Sequence, residues 1–125
     1  MPMKNYFMLH AFLVICALYS VFAVTAEVAA IEPAEIVGTW RNQYGGVTEF
    51  RSDHTYRCSF ADELGRGTWD LKKGALLRFK TNYGYCETDR ILSFKKDKMT
   101  LETPERREIW IREKRNIRWP KELEG

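Results

Sequence analysis

From Val37 onward, apolar and polar side chains alternate with a period of two, and no long stretch keeps a helical period. The alternating runs occupy residues 37–42, 47–52, 55–60, 67–71, 75–81, 86–95, 99–102 and 106–114. Between them lie turn-forming groups: Tyr44-Gly45-Gly46, Asp53-His54, Asp62 to Gly65, Lys72-Lys73-Gly74, Asn82-Tyr83-Gly84, Lys96-Asp97-Lys98 and Thr103-Pro104-Glu105. Connections this short join antiparallel neighbours and leave no room for a helical crossover. A sheet of eight strands with one apolar face loses its exposed edges by closing on itself. The expected fold is therefore all-β, an eight-stranded antiparallel up-and-down β-barrel. Such a barrel has an interior that side chains nearly fill, or that holds one small ligand.

Residues 1–26 read as a signal helix preceding that barrel. Lys4 supplies a positive start, and residues 7–26 contain no acidic or basic side chain except His10. Val24-Thr25-Ala26 offers a peptidase small residues at the right positions, with cuts after Ala29 or Ala30 as alternatives. The apolar run is also long enough to serve as an uncleaved anchor. Val14-Ile15 before Cys16 do not make a lipobox. The expected location is periplasmic or secreted, or membrane-anchored if the leader is retained. Residues 27–35 then form a linker, 36–114 the barrel and 115–125 a basic tail.

Without Lys4, the chain holds 19 Lys and Arg against 17 Asp and Glu, a balance too even to argue for nucleic acid; the compartment argues against it. Two cysteines, Cys58 and Cys86, lie beyond the leader. An even pair in an oxidising compartment is most simply a disulfide, worth about 3–4 kcal/mol on the chain-entropy model. Two free thiols, or half a metal site, are the competing reading. Tyr56, Cys58 and Phe60 share one face of the third strand, and Cys86, Thr88, Arg90, Leu92 and Phe94 share a phase of the sixth. The bond is thus expected inside the barrel.

Catalytic chemistry finds little here. His54 is alone beyond the leader, too little for a His-based triad or a zinc tetrahedron. There is no G-x-S-x-G and no phosphate-cradling glycine loop. Asp62-Glu63 and Glu102, Glu105 and Glu108 sit in turns or among lysines and arginines, as on a solvated face. The expectation is a non-enzyme without metal or cofactor.

Gly38-Thr39-Trp40, then Phe50-x-x-Asp53-x-Thr55-Tyr56, then Gly67-Thr68-Trp69-x-Leu71 resemble the small bacterial lipocalin-like (calycin-type) exported proteins. The similarity runs from Ile36 to Glu113. It implies that Trp40 closes one end of the barrel beneath an arginine of the last strand, Arg112. Gly38, Gly67 and Trp69 are then structural motif residues. His54 stands where the family's hairpin turn carries glycine, which is tolerable because histidine enters left-handed backbone more readily than most residues. Thr88-Asp89-Arg90 is similar to the family's second motif, T-D-Y, with Arg for Tyr.

The resemblance implies a small hydrophobic or amphipathic ligand. Tyr56, Phe60, Phe79 and Phe94 are the candidate pocket lining, and Arg90, in phase with Phe94, the candidate polar group for a carboxylate or phosphate head. The second reading is a protein-interaction module, an inhibitor or assembly accessory with a packed barrel, favoured by the shortness of residues 43–46 and 61–66 as loops. Toward the C-terminus, Arg106, Arg107, Arg112, Lys114, Arg115 and Arg118 accompany Trp110 and Trp119. They read as a solvent-facing last strand with a tail, or as a peripheral contact with an anionic membrane, Trp119 at its interface.

Overall fold

The computed structural model describes residues 30–61 and 63–124. A short helix, α1 (Pro33–Ile36), precedes β1 (Gly38–Asn42), β2 (Val47–Phe50), β3 (Thr55–Phe60), β4 (Glu63–Lys72), β5 (Leu76–Thr81), β6 (Cys86–Lys95), β7 (Lys98–Glu102) and β8 (Arg107–Arg112). One turn of 3-10 helix, Lys121–Leu123, follows. Each strand pairs antiparallel with the next, and β8 returns to β1, closing the barrel. The all-β barrel expected from the alternation is the observed fold. The leader assigned to residues 1–26, and the helix expected there, lie outside the described residues.

Local chemistry sets the hairpins. At the β2–β3 turn Asp53 Oδ1 accepts from the Thr55 backbone N–H at 2.9 Å and its hydroxyl at 2.6 Å, while His54 takes a left-handed φ of 67°. Lys73 and Gly74 both have positive φ, 53° and 67°, which suits the right-handed twist of the β4–β5 hairpin. β4 starts earlier than its sequence suggests. Gly65, read as a turn residue, instead pairs with Cys58, and the strand runs back to the Phe60–Glu63 pair.

The barrel has two unlike ends. The β2–β3, β4–β5 and β6–β7 turns lie at one, the other four turns at the opposite. α1 closes the first end, so part of the expected linker belongs to the core: Ile31 and Ile36 are buried, and the Ile31 N–H donates to Gly74 O at 3.0 Å. Trp40, Phe50, Trp69, Leu77, Ile91, Met99 and Leu101 pack above it.

β6 departs from simple alternation. Its register to β7 shifts between Ile91 and Ser93, which leaves Leu92 as an extra residue. Before the bulge, cross-strand partners set the phase: Glu87 faces Phe79, and Asp89 faces Leu77. Since Leu77 and Phe79 are buried, Glu87, Asp89 and Ile91 point inward and Cys86, Thr88 and Arg90 outward. Phe94 regains the interior only after the bulge. The expected phase of this strand is therefore corrected, and the disulfide with it. Cys58 packs against the core, Cys86 is exposed on the outer face, and both are free thiols.

The C-terminal segment is not a solvated tail. Ile117, Trp119 and Leu123 cover Val47 on the outer face of the barrel. The Arg57 guanidinium lies 4.4 Å from the centroid of the Trp119 ring and donates to Leu123 O at 2.7 Å, and Arg66 donates to Glu122 O at 3.0 Å. Trp119, read as a membrane-interface residue, is buried in this strap.

Candidate functional site

At the closed end, Arg112 from β8 lies over the Trp40 ring, 4.2 Å from its centroid. Its guanidinium donates to Val37 O at 2.9 Å, Glu35 O at 2.8 Å and Lys96 O at 3.2 Å, and pairs with Asp97 at 3.2 Å. Trp40 Nε1 donates to Ile36 O at 2.8 Å. These four contacts of Arg112 tie α1 and the β6–β7 turn to β8. The arrangement plugs this end of the barrel.

The open end differs. A cavity of about 430 Å³ descends from the mouth, within the size range of small-molecule sites. Tyr56 and Cys58 of β3, Phe79 of β5, Trp110 of β8 and Thr48 of β2 form its walls. Ring contacts hold the aromatic part rigid: Tyr56 meets Phe79 edge-on at 5.3 Å between centroids, and Phe79 and Trp110 pack on Phe50 beneath at 5.6 and 6.1 Å.

Carboxyl groups, with Thr81, Tyr85 and Thr103, occupy the remaining wall. Glu87, Asp89 and Glu108 line the cavity, with Glu63 and Glu105 at its rim. Glu108 is satisfied, since it accepts from Trp110 Nε1 at 2.9 Å and pairs with Arg106 at 3.1 Å. Asp89 is not. Its residue is 1 % exposed, and Oδ1 has no hydrogen-bond partner among the described residues. Burial pushes its carboxyl up to about 8, helped by the neighbouring Glu87 carboxyl and by Glu108. Desolvation likewise raises the Tyr56 phenol to about 12 and lifts the Cys58 thiol. Among the described residues no three His, Cys, Asp or Glu side chains stand close enough to hold a metal ion.

Of the five residues expected to line a pocket, Tyr56 and Phe79 do so. Phe94 lies at the other end, 6.0 Å from Trp40. Phe60 is largely exposed near the mouth, and Arg90 stands exposed on the outer face, where it cannot orient a ligand inside. The sequence places none of Asp89, Glu87, Glu108 and Trp110 in a pocket: Asp89 reads as part of a motif, Glu108 as a solvated carboxylate and Trp110 as part of the last strand. The signal was present in the β5–β6 hairpin: the Thr81 N–H bonds to Tyr85 O at 2.9 Å, and counting outward from that pair sets Glu87 opposite Phe79. No family model, curated protein or solved structure matches this chain.

Proposed function

We propose that this protein is an exported, non-catalytic binding module of lipocalin-like type, holding a small amphipathic molecule in the open end of its barrel. The observation that carries the reading is the mouth cavity, with rigid aromatic rings on one side and polar groups on the other. That division suits a ligand with an apolar body and one polar head. The shallow depth suits a small molecule, because the lower half of the barrel is filled by Trp40, Phe50, Trp69 and their neighbours. Export rests on the leader.

Native mass spectrometry of the protein purified from its own host tests this. The expected result is a co-purifying species of low mass, lost on unfolding, with Trp110 fluorescence changing when it is returned. An empty barrel that also leaves hydrophobic dyes unbound overturns the reading.

A second reading, an inhibitor or assembly accessory working through its loops, draws on the apolar side chains around the same mouth. Tyr83 is 98 % exposed, and Tyr44, Phe60, Leu64 and Tyr85 are exposed in turns and strand ends at the same end of the barrel. It predicts that replacing Tyr83 by Ser abolishes recovery of a specific protein from host extract while leaving small-molecule binding intact.

A further inference from the structure

We infer that the ligand of the mouth cavity is a cation, an amine whose ammonium group sits against Asp89 and Glu87 while its apolar part lies against Tyr56, Phe79 and Trp110. The inference rests on the binding-module reading and specifies its ligand class. Asp89 is buried and lines the cavity, and its Oδ1 has no hydrogen-bond donor among the described residues. Buried polar atoms left without a partner are rare, and each calls for a reason. Here the missing partner is a donor supplied from the cavity.

The character of that donor follows from the surroundings. Glu87 lies within hydrogen-bonding reach of Asp89, and neither forms an ion pair with a described residue. Two carboxylates this close repel each other, and a positive charge placed beside them relieves that repulsion. In the empty cavity a proton fills that role; an ammonium replaces it and adds two further donors. Arg106, which pairs with Glu108 of the cavity wall at 3.1 Å, is already committed and also lies 3.6 Å from the Tyr44 ring centroid. An anionic head group meets only repulsion, since Arg90 is outside.

The test compares octylammonium, octanol and octanoate, matched in apolar body, by calorimetric titration into the full chain. Octylammonium is expected to bind about ten-fold or more tightly than octanol, as one buried charge-assisted contact provides, with octanoate weakest. D89N, folded by circular dichroism, should bring octylammonium within about three-fold of octanol; E87Q provides the same comparison should D89N not fold. Equal affinity of wild type for ammonium and alcohol, or a preference for octanoate, overturns the cation assignment and leaves the binding module standing. Failure of all three to bind overturns both.

Discussion

Gly67 and Gly38 show what the two Gly-x-Trp motifs are for. A Cβ on Gly67 would stand 2.0 Å from Lys80 O, a backbone atom of the neighbouring strand that cannot swing aside. G67A should therefore part β4 from β5 locally and cost about 2–4 kcal/mol, read as a shift in the urea midpoint. A cost below about 1 kcal/mol, the range of an ordinary surface change, would show that the strands yield. Gly38 has φ 131°, and a Cβ there would lie 2.6 Å from Arg112 Nη1. The glycine thus makes the space through which Arg112 reaches the plug. R112A should leave the carbonyls of Glu35, Val37 and Lys96 without their donor and destabilise by about 2–4 kcal/mol. R112K should recover little, because the ammonium lacks the planar fork that reaches several carbonyls at once. If R112K is fully stable, the fork is not what holds the end closed. The thiols separate by the same reasoning. Cys86 should react rapidly with maleimide in the native protein, whereas Cys58, half-buried and with its thiol proton held more tightly, should react more slowly. Two equally fast thiols would contradict the assigned faces.

At the scale of strands, alternation and turn chemistry carry most of the fold, because a period of two and a Gly- or Asp-containing turn are local properties of the chain. β3 and β6 have the residue ranges their patterns indicate, and the remaining strands differ chiefly at their ends. What alternation cannot report is a change of phase within a strand. Leu92 and Phe94 are apolar two residues apart, so their phase extends naturally back through Arg90 to Cys86. The extra residue at Leu92 breaks that continuity, and only pairing with β5 and β7 reveals it. One bulge thus moved Arg90 and Cys86 out of the barrel and Asp89 and Glu87 into it. The candidate site was hidden for this reason: carboxylates are assigned to solvent by default, and their burial is a property of register. The strap was equally illegible, since Ile117, Trp119 and Leu123 lack any strand or helix period. Its worth can be measured. W119A should free the strap from Val47 and Arg57, costing about 2–3 kcal/mol. Amide exchange should rise over residues 117–124 while β1 to β8 stay protected, and unchanged exchange there would mean that the strap does not depend on Trp119.

For the whole molecule, Asp89 places an unusual term in the dependence of stability on pH. Several groups face it: Glu87 on its own strand, Glu108 from β8 with Arg106 paired to it, Cys58 and Tyr56 from β3, and Glu63 and Glu105 at the rim. Leu77 of β5 lies opposite in the ladder. The folded protein keeps the Asp89 proton up to about 8, whereas the unfolded chain releases it in the ordinary carboxylate range. Between those limits the folded state holds more protons, so this residue makes stability fall as pH rises from about 5 to 8. Glu49 and Glu113 act oppositely. Glu113 is held well below the usual range by Arg115 and Arg41, and Glu49 is lowered by Arg51 and Arg57 against the cost of burial. Their contribution is present above the unfolded carboxylate range and is lost only as pH falls through their depressed folded values. From pH 5 to 8 the Asp89 slope is therefore the carboxylate term that changes, and urea unfolding should give a higher midpoint at the lower pH. D89N should flatten that slope and stabilise the protein at pH 8 by about 2–3 kcal/mol. A wild-type profile that is level or rises to pH 8 would remove Asp89 as a buried, unpaired carboxyl. A bound ammonium takes the place of the proton, so saturating octylammonium should raise the midpoint more at pH 8 than at pH 5. That reversal joins stability to binding: the same unpaired oxygen that weakens the empty barrel in alkali would be the one a cationic guest repairs.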